Sequence, residues 1–155
     1  MWSYATLDLV LAIGHHLLIF LLAALLAFEI AVIRDVVTRE NALRLSRVDL
    51  LYGVVAVLIV VVGFSRAIFA AKGWAYYSHN LLFWAKVTTF AIVALLSVAP
   101  TLRIMRWRRG FTENFGFAVG LGVIKTVRRY LLAEAGLFTL LPIFAAGMAR
   151  GYGLL

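Results

Sequence analysis

The sequence predicts an all-α integral membrane protein, a four-helix bundle of up-down topology, from its composition and from four long apolar runs. Of 155 residues, 65% are hydrophobic and 14% are charged, whereas soluble domains carry roughly 45 to 50% apolar and about 25% charged residues. A water-soluble core could not bury so much apolar surface. Spans of about 20 residues and their connections fill nearly the whole length, so we expect one transmembrane domain over residues 1–155 and no separate soluble domain.

The four predicted spans alternate with shorter polar connections and run over about 7–33, 50–69, 81–100 and 130–148. Each is long enough to cross a bilayer, and the first is longer than the crossing requires, so it can tilt. Segment 110–125 is too short and too rich in glycine for a spanning helix, so we interpret it as an interfacial or re-entrant segment. Pro142 lies inside the fourth span, where it removes one backbone hydrogen bond and is expected to bend the helix.

The positions of the cations predict how the chain is oriented in the membrane. Most of the 15 Lys and Arg residues lie in the first and third connections: Arg34, Arg39, Arg44, Arg47, Arg103, Arg106, Arg108, Arg109, Lys125, Arg128 and Arg129. By the positive-inside tendency these connections are cytoplasmic, which predicts both termini on the periplasmic side of a bacterial inner membrane. The net charge of +8 is then explained by topology and anionic lipid, and we expect the lipid bilayer rather than nucleic acid as the partner.

Several classes of chemistry are excluded by what the sequence lacks. It contains no cysteine, which excludes disulfides, thiolate metal sites and iron–sulfur clusters. It also contains no P-loop, G-x-S-x-G or H-E-x-x-H pattern, so hydrolase and nucleotidase functions have no support. The candidate functional residues are therefore the ionisable side chains within the spans, because each is costly in lipid unless it is paired or faces the bundle interior.

Three ionisable residues mark one face of the first predicted helix. Asp8, His15 and Glu29 are seven and fourteen residues apart, so they fall on nearly the same side, and Leu22 completes the heptad series. We expect this face to point into the bundle. His16 is turned by about 100° from His15, so only one of the two histidines can occupy the seam, and His15 is our first choice.

Depth along the helices sorts the polar side chains into two layers. The outer layer is predicted to form a cofactor site from His15, His16, Lys86, Arg66 and Trp84. The inner layer is predicted to form a compensated network of acids and arginines: Glu29, Asp49, Glu134, Arg47, Arg128 and Arg129. Both layers also have a purely structural interpretation, as interfacial ion pairs for the inner one and as interhelical hydrogen bonds and snorkelling for the outer one.

The outer layer suits a cofactor that needs few protein ligands. Zinc sites use three or four ligands, whereas the spans offer only two adjacent histidines. Haem needs one or two axial ligands, so His15 or His16 would be the metal ligand, with Lys86, Met148 or water opposite. A quinone or a free tetrapyrrole is the alternative, with its oxygens or carboxylates against Lys86 or an arginine.

Four stretches of the chain resemble a bacterial membrane family catalogued as domain of unknown function 2214: RVDLLYGVVAVLIVVVGFSR, LLFWAKV, PTLRIMRWRR and EAGLFTLLPIFAAGMARGYG. More distantly, the chain is similar to the four-helix membrane group that includes the copper-resistance protein CopD and the protoporphyrinogen oxidase HemJ. The shared positions are a first-helix histidine (His15 or His16), Arg47, Lys86 after Trp84, and Arg129 before Glu134. The sequence AEAGL stands where those oxidases carry Asn-Glu-x-Pro.

The distant resemblance implies haem b on the first-helix histidine and a membrane oxidoreductase resembling protoporphyrinogen oxidase. It implies Lys86, Arg47, Arg129 and Glu134 as catalytic residues. Two other functions stay open. The small size and the small-residue surface AAGMARG favour an accessory subunit of a larger membrane complex, or a homodimer. The similarity to CopD alone suggests a transporter of copper or another small ion, although Cu(I) prefers sulfur ligands that the chain largely lacks.

Overall fold

A computed structural model of the chain describes the backbone of residues 4–69 and 73–155, with side chains from residue 6 onward. Its helices are α1 (Tyr4–Val32), α2 (Arg39–Phe69), α3 (Gly73–Ser78), α4 (Leu81–Glu113), α5 (Leu121–Phe138) and α6 (Leu140–Ala149). Four segments are long and apolar enough to cross a membrane, namely Thr6–Val32, Arg39–Phe69, Leu81–Glu113 and Leu121–Ala149. The predicted four-helix membrane bundle is confirmed.

The spans form an up-down bundle in which neighbours in sequence are neighbours in space. Helix α1 packs on α2 and α5, and α4 packs on α2, α5 and α6. The C-terminal segment returns to the start of α4, where the Leu81 amide donates to the Gly153 carbonyl at 2.7 Å. The start of α1, where Asp8 contacts Arg66, lies with α3 and the C-terminus at one end of the bundle, which we call the terminal end. The connections 33–38 and 114–120 lie at the other, the loop end.

Two helices extend well beyond the spans that hydropathy predicts. Helix α2 begins at Arg39 rather than near residue 50, and α4 continues through the buried Pro100 to Glu113. Polar residues such as Glu and Arg have good helix propensity, so these helices project past their apolar runs. The segment 110–125 is accordingly the end of α4, a non-helical connection and the start of α5. Its placement at the membrane interface stays a prediction.

The fourth span is divided into α5 and α6 at Thr139. Pro142 has no amide hydrogen to donate to the carbonyl of Phe138, four residues earlier, so the helical ladder cannot continue unbroken there. The Thr139 amide instead donates to the Gly136 carbonyl at 3.3 Å. The predicted irregularity at Pro142 is confirmed, and it allows α6 to take a course of its own.

The bundle is polar at two levels and apolar between them. On α1 the buried residues His15, Leu22, Leu26 and Glu29 follow the predicted face. Other buried apolar side chains belong to the same cluster as Leu22 and Leu26, among them Val55 and Leu131. At about 1.5 Å per residue, His15 and Glu29 are roughly 20 Å apart along α1, so this apolar layer separates the two polar levels.

The outside of the bundle is covered with large apolar side chains. Phe20 is 71% exposed and Leu95 is 74% exposed, and many others are comparable. Such an extensive apolar surface is unfavourable in water and suits the hydrocarbon of a bilayer. The lipid bilayer is therefore the environment that this surface contacts.

Candidate functional site

A cleft of about 380 Å³ opens into the bundle at the terminal end. This cleft, as we call it below, is lined by residues of α1, α2, α3, α4 and α6, with these polar or sulfur-containing side chains among them: Asp8, His15, His16, Arg66, Tyr76, Tyr77, Lys86 and Met148. The remaining wall is mainly apolar. Ligand pockets commonly have volumes of about 300 to 1,000 Å³ and combine apolar walls with a few polar groups, so the cleft has the size and character of a small-molecule site.

The cleft lies where the fourth span, beyond the interruption at Thr139, no longer contacts α1. Helix α5 packs on α1, but within the described ranges α6 contacts α4 and α5 and does not contact α1. The bundle is therefore open between α1 and α6 at the terminal end. Both sides of this opening contribute to the wall, His15 and His16 from α1 and Ala145 and Met148 from α6.

His15 is the most deeply placed polar group of the cleft. Its side chain is 5% exposed, and its Nδ1 has no hydrogen-bond partner. The ring lies against Gly63 of α2, where an added Cβ would come within 3.1 Å of His15 Cε1. Buried polar groups are usually hydrogen-bonded, so this nitrogen, which is closed off from solvent, is left unsatisfied within the described chain.

His16 differs from His15 in both burial and bonding. Its side chain is exposed, and its Nδ1 donates to the carbonyl of Ala12 on the same helix at 2.6 Å. One nitrogen is therefore already satisfied by the backbone. The expectation that the two histidines could not share the seam is confirmed, and His15 is the residue that occupies it.

Two cations make the cleft electropositive. Arg66 Nε donates to Asp8 Oδ1 at 3.2 Å, with both side chains about one third exposed. In the part of the chain that the structure describes, Lys86 has no carboxylate partner. The charges of both Lys86 and Arg66 act on His15. Only one of these two cations is balanced by an acid, so the cleft favours a ligand that carries negative charge.

At the level nearer the loop end lies a second group of buried polar residues, which we call the acidic cluster: Glu29, Asp49 and Glu134. Their side chains are 2%, 7% and 0% exposed. Asp49 Oδ1 accepts a hydrogen bond from the Thr101 hydroxyl at 2.7 Å, and Glu134 Oε2 accepts one from the Tyr52 hydroxyl at 3.4 Å. Glu29 Oε1 and Glu134 Oε1 have no partner.

The arginines that we expected to compensate these acids do not do so. Arg47 and Arg129 are exposed, and Arg128 donates to the carbonyls of Ile30 and Ile33 at 3.1 and 2.8 Å. The last carbonyls of a helix lack intrahelical partners and attract cations, so the end of α1 competes for Arg128. Among the described residues no ion pair involves the acidic cluster. The predicted compensated network is wrong.

The predicted cofactor residues are largely brought together. His15, His16, Arg66 and Lys86 all line the cleft. Trp84 does not line it: its side chain is 44% exposed, and its Nε1 donates to the Ser78 carbonyl at 3.0 Å. The expected apolar wall is formed instead by neighbours such as Phe83 and Phe90.

The four residues implied as catalytic by the distant resemblance lie in different places. Lys86 is in the cleft, and Glu134 is in the acidic cluster. Arg47 and Arg129 are exposed and do not line the cleft. The structure therefore does not bring these four side chains to one site.

Three residues of these regions were missed by sequence reasoning. Tyr52 lies three residues after Asp49 on α2, a spacing that places both on one helix face, so a search for polar neighbours of the buried acids could have found it. Gly63 and Thr101 carry no comparable signal. Their roles come from contacts with other helices, and such contacts depend on how the helices are rotated and aligned.

The described residues contain no group of three or more His, Cys, Asp or Glu side chains that could hold a metal ion. A metal bound by several side chains thus has no site in that part of the chain. His15 offers the different arrangement of a single axial ligand beside a cavity, which is how haem is held in many proteins.

A family model described as "Predicted membrane protein (DUF2214)" matches residues 7–153. No curated protein sequence and no solved structure matches the chain significantly.

Proposed function

The chain belongs to the DUF2214 family of predicted membrane proteins, and we propose that it binds haem b, or a related tetrapyrrole, in the cleft and acts in membrane redox chemistry. The observation that carries the proposal is His15. It is 5% exposed, has an Nδ1 without a partner and lines a cleft of about 380 Å³. Haem is the cofactor that one such imidazole can hold.

The charge and the opening of the cleft support the same class of ligand. A tetrapyrrole has a broad apolar ring and carboxylate side chains. The apolar wall accommodates the ring, while Lys86 and Arg66 are positioned to pair with the carboxylates. The gap between α1 and α6 lets an amphiphilic molecule enter from the bilayer without crossing water. Met148 lines the same cleft and would be a further candidate to help hold the group.

When bound, haem supplies one-electron transfer between two iron oxidation states. The chain itself fixes the His15 ring against Gly63, excludes water on the buried side through Ile59 and Phe90, and neutralises carboxylates through Lys86. Lys86 is the one implied catalytic residue that lies beside the proposed cofactor. Chemistry resembling that of protoporphyrinogen oxidase would therefore depend on Lys86 and His15, and not on Arg47 or Arg129.

We further propose that the cleft faces the periplasm of a bacterial inner membrane. The arginines concentrate at the loop end, and the positive-inside tendency makes that end cytoplasmic. An enzyme reporter that is active only outside the cytoplasm, fused to the C-terminus, should be active. The same reporter inserted in the connection 114–120 should be inactive, and the opposite pattern would invert the orientation.

The alternative of an accessory subunit has lost part of its support. Its main motivation is the small size of the chain, and the small residues of AAGMARG were the surface offered for contact, but Gly147 packs inside the chain, where an added Cβ would come within 2.7 Å of Leu82 Cδ1. Ala145, Met148 and Ala149 line the cleft. This surface is therefore used within the protein.

The absorption spectrum of the purified full-length protein, oxidised and reduced and after haem reconstitution, tests the proposal. We expect a Soret band that shifts on reduction. His15→Ala should lose the band, whereas the matched neighbour His16→Ala should keep it, because His16 is exposed and bonded to its own helix.

Two results would count against the proposal. The absence of a Soret band after reconstitution would exclude haem as the ligand. A band that is unchanged in His15→Ala, His16→Ala and the double variant would exclude ligation by the first-helix histidines.

A further inference from the structure

The acidic cluster combines features that a purely structural group of side chains does not need. Three carboxyl groups from α1, α2 and α5 converge at a level where the chain is fully buried, with exposed fractions of 2%, 7% and 0%. Asp49 and Glu134 each accept a hydroxyl hydrogen bond. Glu29 lies close enough to Asp49 and Glu134 for its charge to interact with theirs, yet its Oε1 has no partner.

Among the described residues, no cation forms an ion pair with the cluster. The Tyr52 phenol interacts with its carboxyls. Arg128, the nearest arginine along α5, directs its guanidinium to the carbonyls of Ile30 and Ile33. Three ionised carboxylates would therefore repel one another in a medium of low polarity, which costs many kcal/mol.

A cation could in principle relieve this repulsion. The acids are not arranged as ligands of a common metal ion, because the described residues include no group of three that could hold one. A proton needs no such coordination shell, since it binds to a single carboxylate oxygen and can be shared with a neighbour. Intramembrane carboxyls that face the bundle interior commonly carry protons in membrane proteins.

We propose that Glu29, Asp49 and Glu134 form a proton-binding site that holds protons at neutral pH and exchanges them with water at the loop end. The step is a simple equilibrium in which a carboxylate and a proton give a carboxylic acid. A proton on one carboxyl would supply the donor that the unpartnered oxygens of Glu29 and Glu134 lack. The site is independent of any ligand in the cleft.

The proton-binding site is accessible from one end of the bundle. Glu29 lies three residues before the end of α1 at Val32, and the connection 33–38 follows, so the cluster is near the loop end. Toward the cleft it is closed by the apolar layer of Leu22, Val55 and Leu131, each no more than 2% exposed. Protons therefore enter and leave at the loop end and do not pass to His15.

Infrared spectroscopy of the full-length protein in lipid nanodiscs tests this proposal, because a protonated carboxyl has a carbonyl band separate from that of a carboxylate. We expect this band at neutral pH, with a shift on transfer to D₂O. Glu29→Gln and Glu134→Gln should each remove part of it. Glu113→Gln, which changes an exposed carboxylate, is the matched control and should leave the band unchanged.

Three outcomes would overturn the proposal: no protonated carboxyl band at neutral pH, a band that persists undiminished in both glutamine variants, or a band that disappears when sodium replaces a large organic cation. The last outcome would identify a sodium site. If a variant fails to fold, ¹³C labelling of glutamate in the unmutated protein replaces it. The band should then shift, and an unshifted band contradicts an assignment to Glu29 and Glu134.

Discussion

The cleft and the acidic cluster are both polar regions of a membrane bundle, but they differ in charge, in closure and in cause. The cleft is open between α1 and α6, carries the cations Lys86 and Arg66, and has a volume of about 380 Å³. The acidic cluster has no cationic partner among the described residues, and its three side chains are closed off from solvent. The comparison indicates that the cleft is built to admit a molecule, whereas the cluster is built to hold protons.

The difference arises from how the fourth span packs. Helix α5 contacts α1 and closes the bundle around Glu134, whereas α6, after the interruption at Thr139, leaves α1 uncovered. The helix break next to Pro142 thus separates the closed half of the bundle from the half that is open between α1 and α6. Each of the following changes alters one half and should leave the other intact.

Removing the Glu134 side chain should have the largest effect on stability. Glu134 is 0% exposed, so Glu134→Ala leaves a cavity and deprives the Tyr52 hydroxyl of its acceptor. Large-to-small changes at buried sites cost about 2 to 5 kcal/mol, and we expect about 3 kcal/mol by unfolding in nanodiscs or detergent. Glu134→Gln keeps the volume and should cost less than about 1 kcal/mol. Equal losses of unfolding free energy in both variants would mean that the fold requires an ionised carboxylate at Glu134.

Restoring the helix at Pro142 should affect the cleft. Pro142 is exposed, so Pro142→Ala removes no buried contact but permits a hydrogen bond to Phe138. A straighter fourth span would bring α6 toward α1 and narrow the opening. We expect ligand affinity to fall by about tenfold, or about 1.4 kcal/mol, while the unfolding temperature rises. The exposed neighbour Ile143→Ala is the control, and unchanged affinity in Pro142→Ala would separate the cleft from the helix break.

The smallest predicted effect compares two glycines of α2. Replacing glycine by alanine within a helix usually stabilises by about 0.5 to 1 kcal/mol. Gly53 has open space around it, whereas a Cβ at Gly63 would lie 3.1 Å from His15 Cε1. Gly53→Ala should therefore increase stability and leave ligand affinity unchanged. Gly63→Ala should decrease both stability and ligand affinity, because the added Cβ displaces the His15 imidazole. Thermal unfolding and ligand titration of the pair measure this, and identical behaviour would show that His15 is not held by Gly63.

The fold could be predicted from the sequence because it depends on features that lie along the chain. Apolar runs of spanning length, the heptad of His15, Leu22 and Glu29, and the proline at position 142 are all local patterns, and the structure agrees with each. Helix ends were less predictable. Hydropathy marks where the apolar run ends, while α2 and α4 continue as helices into polar sequence.

The pairing of side chains between helices could not be predicted in the same way. The depth of each residue along its helix grouped His15, Lys86 and Arg66, and all three line the cleft. Such a grouping depends only on a common level along the bundle. Charge complementarity wrongly grouped the acids with arginines, because Arg128 bonds to the end of α1 and Arg129 is turned about 100° away from it to the surface. The direction of a side chain around its helix decides such contacts, and composition does not record it.

The most direct test of the division into a ligand-binding half and a proton-binding half is haem titration, followed by absorbance, of two matched variants. His15→Ala removes the proposed axial ligand in the cleft, and Glu134→Gln neutralises a group in the acidic cluster without changing its volume. We predict that His15→Ala fails to form the Soret band and that Glu134→Gln binds haem like the unmutated protein. Loss of the band in Glu134→Gln, with retention in His15→Ala, would contradict the account.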